Sequence, residues 1–83
     1  MKQPWFRARS ARSLGDALAE IRRGAGWSQS EAAERTRTSR PTVSRLERGL
    51  PVSSATVLNL LEHARYEIVL VPRGARVVVE EQP

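Results

Sequence analysis

Two helix-start signals lie only eleven positions apart in the chain, at Ser28 and Ser39. Ser28 is followed three residues later by Glu31, which is the pattern of a capping box, and a proline follows Ser39 in the first turn, where it is tolerated. These signals predict a helix over about residues 29–36 and a second helix that ends at Gly49. The connection between the two helices is three to four residues long, so the helices must cross at a short turn.

The second of these helices has an unusual distribution of charge. At 100° per residue, Val43, Leu46 and Glu47 fall on its inner side. Its outer side holds Pro41, Ser44, Arg45 and Arg48. A helix in an ordinary four-helix bundle, which is the alternative, would mix Glu and Lys on its solvent face. Serine and arginine opposite an apolar face, after a tight turn, predict a helix-turn-helix whose outer face enters a DNA major groove about 12 Å wide.

The remaining segments predict the rest of the architecture. Ser13 is expected to cap a first helix over about residues 14–24, and Ser53 or Ser54 a fourth helix over about 54–64. The apolar period then changes from 3.6 to 2, which predicts strands over 66–71 and 76–81 separated by the turn "PRGA". We therefore expect a mainly α fold, with a helical bundle of about four helices and a C-terminal β-strand or hairpin that pairs across a dimer.

Three regions follow from this pattern. They are a basic, flexible arm over 1–12, a helix-turn-helix domain over 13–64 and a β segment for dimerisation over 65–83. With 83 residues and no cysteine, a thin core leaves oligomerisation as the expected support. The strand over 66–71 would aggregate if it were left unpaired, so we expect it to pair with its two-fold mate. The interface residues would be Tyr66, Ile68, Val69, Leu70 and Val71.

Charge and composition narrow the function. The net charge of +5 is concentrated in residues 1–12 and 37–49, which favours a polyanionic partner. The absence of cysteine and the single histidine, His63, exclude disulfides, thiol catalysis and nearly all zinc sites. No carboxylate pair, nucleophile triad or phosphate-binding glycine loop is visible, so we expect no enzyme, no cofactor and no metal. Without a signal peptide or membrane span, we expect a soluble, cytoplasmic bacterial protein associated with the nucleoid and not with a membrane.

One stretch carries a family resemblance. "LAEIRRGAGWSQSEAAERTRTSRPTVSRLERG" resembles the XRE family of phage-repressor-like regulators, and the resemblance covers about residues 14–64. It implies a phage-repressor-like helix-turn-helix fold and binding to double-stranded DNA. Arg37 replaces the usual turn glycine of the family, and Thr38 replaces the apolar residue that follows it. A left-handed arginine is unfavourable, so a distorted turn is expected there.

The layout of the whole chain adds a narrower resemblance. A basic start, "GWSQSE", a short fourth helix and the immediate strand "YEIVLVPRG" resemble the HipB-type antitoxins. That resemblance implies a homodimer whose C-terminal strands pair across the two chains, and a HipA-like kinase toxin as partner. The second predicted strand, "RVVVEE", is longer and more apolar than a simple tail, which departs from that type.

The resemblance also implies residue roles. Gln29 matches the family's phosphate-contacting glutamine, with Ser28 as its cap, and Arg40 lies where it could pair with guanine. Pro41 can offer only apolar contact to a thymine methyl group. Further residues of the DNA surface are Ser39, Thr42, Ser44 and Arg45, with Arg37 and Arg48 either contacting the DNA backbone or merely solvated. The family and the helical period together suggest an ion pair between Arg22 and Glu47.

Three hypotheses remain open at this point. The first is a homodimeric antitoxin that reads an inverted-repeat operator, represses its own operon and sequesters a kinase-like toxin. The second is a free-standing XRE-family repressor without a toxin, which an adjacent toxin gene would argue against. The third, of a different class, is a structural adaptor whose basic arm binds acidic protein or membrane.

Overall fold

The computed structural model describes residues 3–80, and within them it contains four α-helices. They are α1 (Ala11–Gly24), α2 (Gln29–Arg35), α3 (Arg40–Glu47) and α4 (Ser54–His63). Their inner faces bury a common apolar core, in which the largest fully buried side chains are Leu18, Val43 and Leu60. The two alanines of α2, Ala32 and Ala33, are also buried, and their small side chains bring α2 close to its neighbours. The expected bundle of about four helices, with a helix-turn-helix formed by α2 and α3, is present.

Each helix begins at a serine whose side chain accepts a backbone hydrogen bond. Ser28 and Ser39 act as predicted, and Ser53 caps α4. The prediction for α1 was wrong. The helix starts at Ala11 and not at residue 14, and its cap is Ser10 and not Ser13. Ser13 instead occupies the third helical position, where its hydroxyl accepts from the Ser10 amide at 3.0 Å and completes a capping box. The basic arm therefore ends before residue 11.

All four helices end in the same hydrogen-bonded motif, with a residue of positive φ just after the cap. After α1 and α3 that residue is glycine, Gly26 and Gly49, as the sequence suggests. After α2 and α4 it is arginine, with φ of 55° at Arg37 and 63° at Arg65. The expected distortion at Arg37 is not found, because its turn keeps both hydrogen bonds of the motif, including the 2.9 Å bond from the Thr38 amide to the Ala33 carbonyl.

A close approach between α1 and α3 sets the orientation of the helix-turn-helix. A Cβ added to Gly15 would lie 2.5 Å from the Leu46 carbonyl oxygen, so only glycine fits at that crossing. The contact presses α1 onto the last turn of α3. Any larger residue at position 15 would move α3, and with it the residues on its outer face.

The C-terminal region differs from expectation. Within residues 3–80 no strand is formed, and the hairpin expected over 66–71 and 76–81 is not seen, although residue 81 lies outside the described part. A turn is present, in which the Ala75 amide donates to the Pro72 carbonyl at 3.0 Å and Gly74 has φ of 85°. Positive φ at the third turn residue alone is the type II arrangement, whose twist splays two flanking strands instead of pairing them. Within residues 3–80 the segment over 66–71 therefore has no strand paired with it.

The N-terminal arm lies against the start of this region. The Tyr66 hydroxyl donates to the Pro4 carbonyl at 2.7 Å, and the Phe6 and Tyr66 rings lie 6.3 Å apart, tilted by 46°. Phe6 is half-buried against the core, which holds the arm in place. The arm over residues 3–10 is thus docked on the body rather than extended away from it.

Candidate nucleic-acid interface

A buried ion pair joins the first helix to the recognition helix. Arg22 Nε lies 2.6 Å from Glu47 Oε2, and Arg22 Nη2 lies 3.0 Å from Glu47 Oε1, with the two side chains 10% and 8% exposed. Arg22 also donates to the Trp27 carbonyl at 2.8 Å. The Glu47 hydrogen bond raises the pKa of Arg22, against the opposing effect of burial. The pair expected from the sequence is therefore in contact, and it fixes α1, the loop after it and α3 together.

The same carboxylate also holds the first residue of α2. Gln29 Nε2 donates to Glu47 Oε1 at 3.1 Å, so one oxygen of Glu47 accepts from both Arg22 and Gln29. This contact was not expected from the sequence, because it joins residues 18 positions apart on separate helices. One N–H of the Gln29 side-chain amide is therefore engaged within the protein, and its second N–H remains as a donor.

The start of α2 is held by a reciprocal cap. The Glu31 amide donates to Ser28 Oγ at 3.1 Å, and the Ser28 amide donates to Glu31 Oε1 at 3.1 Å. The hydrogen bond from the Ser28 backbone lowers the pKa of Glu31, with a smaller contribution from the Ser28 side chain. The first turn of α2 is therefore a rigid element beside Gln29.

A residue outside the predicted site holds the turn between α2 and α3. Asn59, on α4, donates its side-chain amide to the Thr36 carbonyl at 3.0 Å. Thr36 is buried, and its hydroxyl donates to the Ala32 carbonyl at 2.7 Å. Asn59 was not predicted from the sequence, because no motif around it indicates a role. A polar residue in the apolar pattern of α4 was the one available signal.

The predicted DNA-contacting residues at the start of α3 differ in their hydrogen bonding. Arg40 and Pro41 are exposed at its first turn, and the Arg40 side chain makes no hydrogen bond or ion pair within residues 3–80. Ser39 and Thr42 share a hydrogen bond of 2.8 Å between their hydroxyls, in addition to the cap. Arg40 is thus the side chain on this helix that is free to extend toward a base.

The two arginines later in α3 are directed by backbone acceptors. Arg45 Nη2 donates to the Pro51 carbonyl at 3.3 Å, and Arg48 Nε donates to the Ser44 carbonyl at 3.3 Å. Arg45 therefore leans toward the connection to α4, and Arg48 lies along the helix. Both remain exposed, and both contacts are long enough to be exchanged for a phosphate.

A shallow groove between α1 and α3 brings several of these residues together. Its lining includes Gln29, Ser44 and Arg48 from the predicted surface. Two acidic residues of α1, Asp16 and Glu20, line its other side. Each is paired with an arginine of its own helix: Arg12 Nε lies 3.5 Å from Asp16, and Arg23 Nη1 lies 3.0 Å from Glu20. Arg37 does not line this groove, and it lies exposed at the turn.

The predicted dimer residues are largely uncovered in the single chain. Ile68, Val69, Leu70 and Val71 are 44%, 70%, 91% and 47% exposed. Tyr66 is instead half-buried against the core. Four consecutive exposed aliphatic residues are unusual on a small domain.

Neither a membrane-spanning helix nor a metal-binding cluster is found among the described residues. No helix among them is long and apolar enough to cross a bilayer. Within residues 3–80 there is also no group of three or more histidine or acidic side chains placed to hold a metal ion.

Comparison with known proteins places this geometry in a family. Residues 13–71 match a family model described as a helix-turn-helix domain. No curated protein matches the chain.

Solved structures with the same fold include a HipB variant in complex with an O2 20mer, at 21% identity and a TM-score of 0.75, covering 84% of this chain and 99% of that one. A HipA-HipB-O2-O3 complex matches at 23% identity and a TM-score of 0.73, covering 83% of this chain and 99% of that one. The clp gene regulator ClgR from C. glutamicum matches at 30% identity and a TM-score of 0.65, covering 75% of this chain and 85% of that one. The buried ion pair, the capped α2 and the basic outer face of α3 agree with that assignment, and the chain belongs to the helix-turn-helix domain family and has the fold of HipB.

Proposed function

We propose that the chain is a homodimeric, sequence-specific DNA-binding antitoxin that represses its own operon and binds a HipA-like kinase toxin. The DNA-binding part of this proposal rests on the contacts of the Glu47 carboxylate. Through Arg22 and Gln29, this carboxylate holds α1, α2 and α3 together as one rigid unit. A recognition helix fixed in this way presents Arg40 without the entropy loss of ordering the helix on binding.

The residue roles in the proposal are those that the family resemblance implies, and the exposure of Arg40 supports them. Arg40 reads a guanine through a bidentate contact, and Pro41 beside it packs on a thymine methyl group. Gln29 contacts a phosphate at the edge of the groove. Backbone contacts are assigned to Arg37, Arg45 and Arg48, and smaller polar contacts to Ser28, Ser39, Thr42 and Ser44.

The dimer in the proposal is formed by the segment over 66–71. Pairing with its two-fold mate satisfies the exposed backbone and covers the aliphatic run that begins at Ile68. A two-fold interface is isologous, so the two α3 helices face successive major grooves about 34 Å apart. The operator is therefore an inverted repeat.

The toxin partnership has its own support. One structure with this fold is a complex of HipA and HipB, and the match covers 83% of this chain and 99% of the matched chain in that complex.

The DNA-binding part is tested by titration of a duplex selected from a random pool and of a scrambled duplex. Arg40→Ala is expected to weaken binding to the selected duplex by about 1–3 kcal/mol and to relax preference at one base pair. Arg48→Ala is expected to weaken binding to both duplexes alike and to reduce the salt slope by about one. Arg73→Ala, in the C-terminal turn, is the matched control and is expected to change neither. Equal losses on both duplexes for Arg40→Ala would remove the base-reading role.

The antitoxin part is tested with the gene next to that of this chain. Its product is co-expressed, and co-purification at a fixed ratio together with relief of growth arrest is the expected result. A neighbouring gene without a kinase-like product, or a kinase that arrests growth in the presence of this chain, would contradict it.

A free-standing transcriptional regulator is the second candidate. The 30% identity to ClgR, described as a clp gene regulator, favours it. The two candidates share the DNA-binding tests and differ in the toxin test.

A further inference from the structure

The N-terminal arm leaves a large aromatic side chain half in water. Trp5 is 52% exposed, although its neighbours on both sides are anchored to Tyr66. Pro4 accepts from the Tyr66 hydroxyl at 2.7 Å, and the Phe6 ring packs at 6.3 Å from the Tyr66 ring. The backbone on each side of Trp5 is therefore held close to Tyr66.

The anchor residue is also the first residue of the aliphatic segment. Tyr66 begins the stretch that continues with Ile68, Val69, Leu70 and Val71, which are all exposed. Trp5 thus stands beside one end of an uncovered apolar surface. In an antiparallel two-fold pair, the N-terminal end of one segment lies next to the C-terminal end of the other.

We infer that the N-terminal arm is part of the dimer interface, with Trp5 packing on the segment over 66–71 of the second copy. The inference rests on the homodimer of the proposed function and adds a surface to it. The occupant is a second copy because the exposed indole is continuous, through Tyr66, with the segment that pairs across the two-fold axis.

The area needed for a stable dimer supports this assignment. A two-stranded ribbon alone is marginal in water, and stable interfaces bury about 1,200–2,000 Å² in total. An aromatic side chain buries about 150–250 Å², so a half-exposed indole has roughly half of that area left to bury, and symmetry supplies two indoles to one interface. The arms therefore contribute a substantial part of the area that a pair of short strands lacks.

Fluorescence isolates the environment of Trp5. The chain has two tryptophans, and the difference between wild type and Trp5→Phe gives the emission of Trp5 while Trp27 is left intact. The Trp5 emission is expected to shift to shorter wavelength as the full-length protein is concentrated through its dimer transition. Light scattering on the same samples reports the mass.

Variants test the energetic contribution. Trp5→Ala is expected to raise the dimer dissociation constant roughly 10- to 100-fold, because both copies lose the buried indole surface. Tyr66→Phe keeps the ring but removes the hydrogen bond to Pro4, and it is expected to give a smaller increase in the constant and a weaker Trp5 shift. Leu50→Ala, an exposed apolar residue in the connection between α3 and α4, is the control and is expected to leave the constant unchanged.

The outcomes separate this inference from the proposed function. If wild type dimerises with no change in Trp5 emission, or if Trp5→Ala dimerises as wild type does, the arm is not in the interface and the inference fails while the homodimer stands. If wild type is monomeric at every concentration, the homodimer itself is wrong, and the inference fails with it.

Discussion

Asn59 on α4 donates its side-chain amide to the carbonyl of Thr36, across a gap of 23 positions in the chain and 3.0 Å in space. Thr36 is the cap of α2, and the next residue, Arg37, has positive φ. The hydrogen bond therefore ties the fourth helix to the turn that sets the angle between α2 and α3.

Asn59→Ala is expected to lower the free energy of unfolding by about 1 kcal/mol, because a half-buried carbonyl loses its donor. Hydrogen exchange at the Thr38 amide is expected to become faster, since that amide closes the turn. Glu62→Ala, on the exposed side of α4, is the control and should leave both unchanged. Unchanged exchange at Thr38 in Asn59→Ala would show that α4 does not stabilise the turn.

Two arginines occupy turn positions that glycine would fill with less strain. Arg37→Gly and Arg65→Gly are each expected to stabilise the protein by about 0.5–1 kcal/mol, because relief of the left-handed strain exceeds the entropy cost of glycine. Glu34→Gly, in the helical part of α2, is expected to destabilise by a similar amount. Chemical denaturation of the three variants measures the change in the free energy of unfolding, which should rise in the two arginine variants and fall in Glu34→Gly. A loss of stability in both arginine variants would contradict the strain argument.

The ion pair between Arg22 and Glu47 is expected to contribute far more than an exposed pair. Glu47→Ala leaves a buried guanidinium without its carboxylate and should lower the free energy of unfolding by about 3–5 kcal/mol. Glu20→Ala breaks the exposed 3.0 Å pair with Arg23 and should lower it by less than about 1 kcal/mol. Glu47→Gln keeps an acceptor and should fall between them. Denaturation curves in which Glu47→Ala and Glu20→Ala coincide would show that burial gives the first pair no advantage.

The capping carboxylate of α2 makes a pH-dependent contribution to stability. Because its pKa is lowered in the folded state, Glu31 stabilises the fold above its unfolded value, and this contribution is lost as the pH falls through the folded value. Glu31→Gln keeps a hydrogen-bond acceptor without a charge. Its stability relative to wild type is expected to be lowest near neutral pH and to rise in acid. Thermal unfolding of both proteins across an acid pH series checks this, and a constant difference would reject it.

Local signals in the sequence determined most of the helical framework. The starts of α2 and α3 were predictable because a serine with its partner three residues later satisfies backbone donors within a single turn. The start of α1 could not be predicted in the same way, because Ser10 and Ser13 are both suitable caps. Which of them caps the helix depends on how far the docked arm allows the helix to extend.

Contacts between distant segments depended on the tertiary structure. The pair of Arg22 and Glu47 was predictable because the helical period places Glu47 on the inner side of α3, where a charge needs a partner, and the family resemblance indicates Arg22 as that partner. The contact of Gln29 with this pair and the hydrogen bond from Asn59 to the turn were not predictable, because an amide side chain satisfies its hydrogen bonds equally well in water.

The predicted C-terminal strands are the opposite case. Their alternating pattern is encoded in the sequence, but a strand forms only when another backbone lies alongside it, and a single chain with a type II turn at residues 72–75 does not supply one.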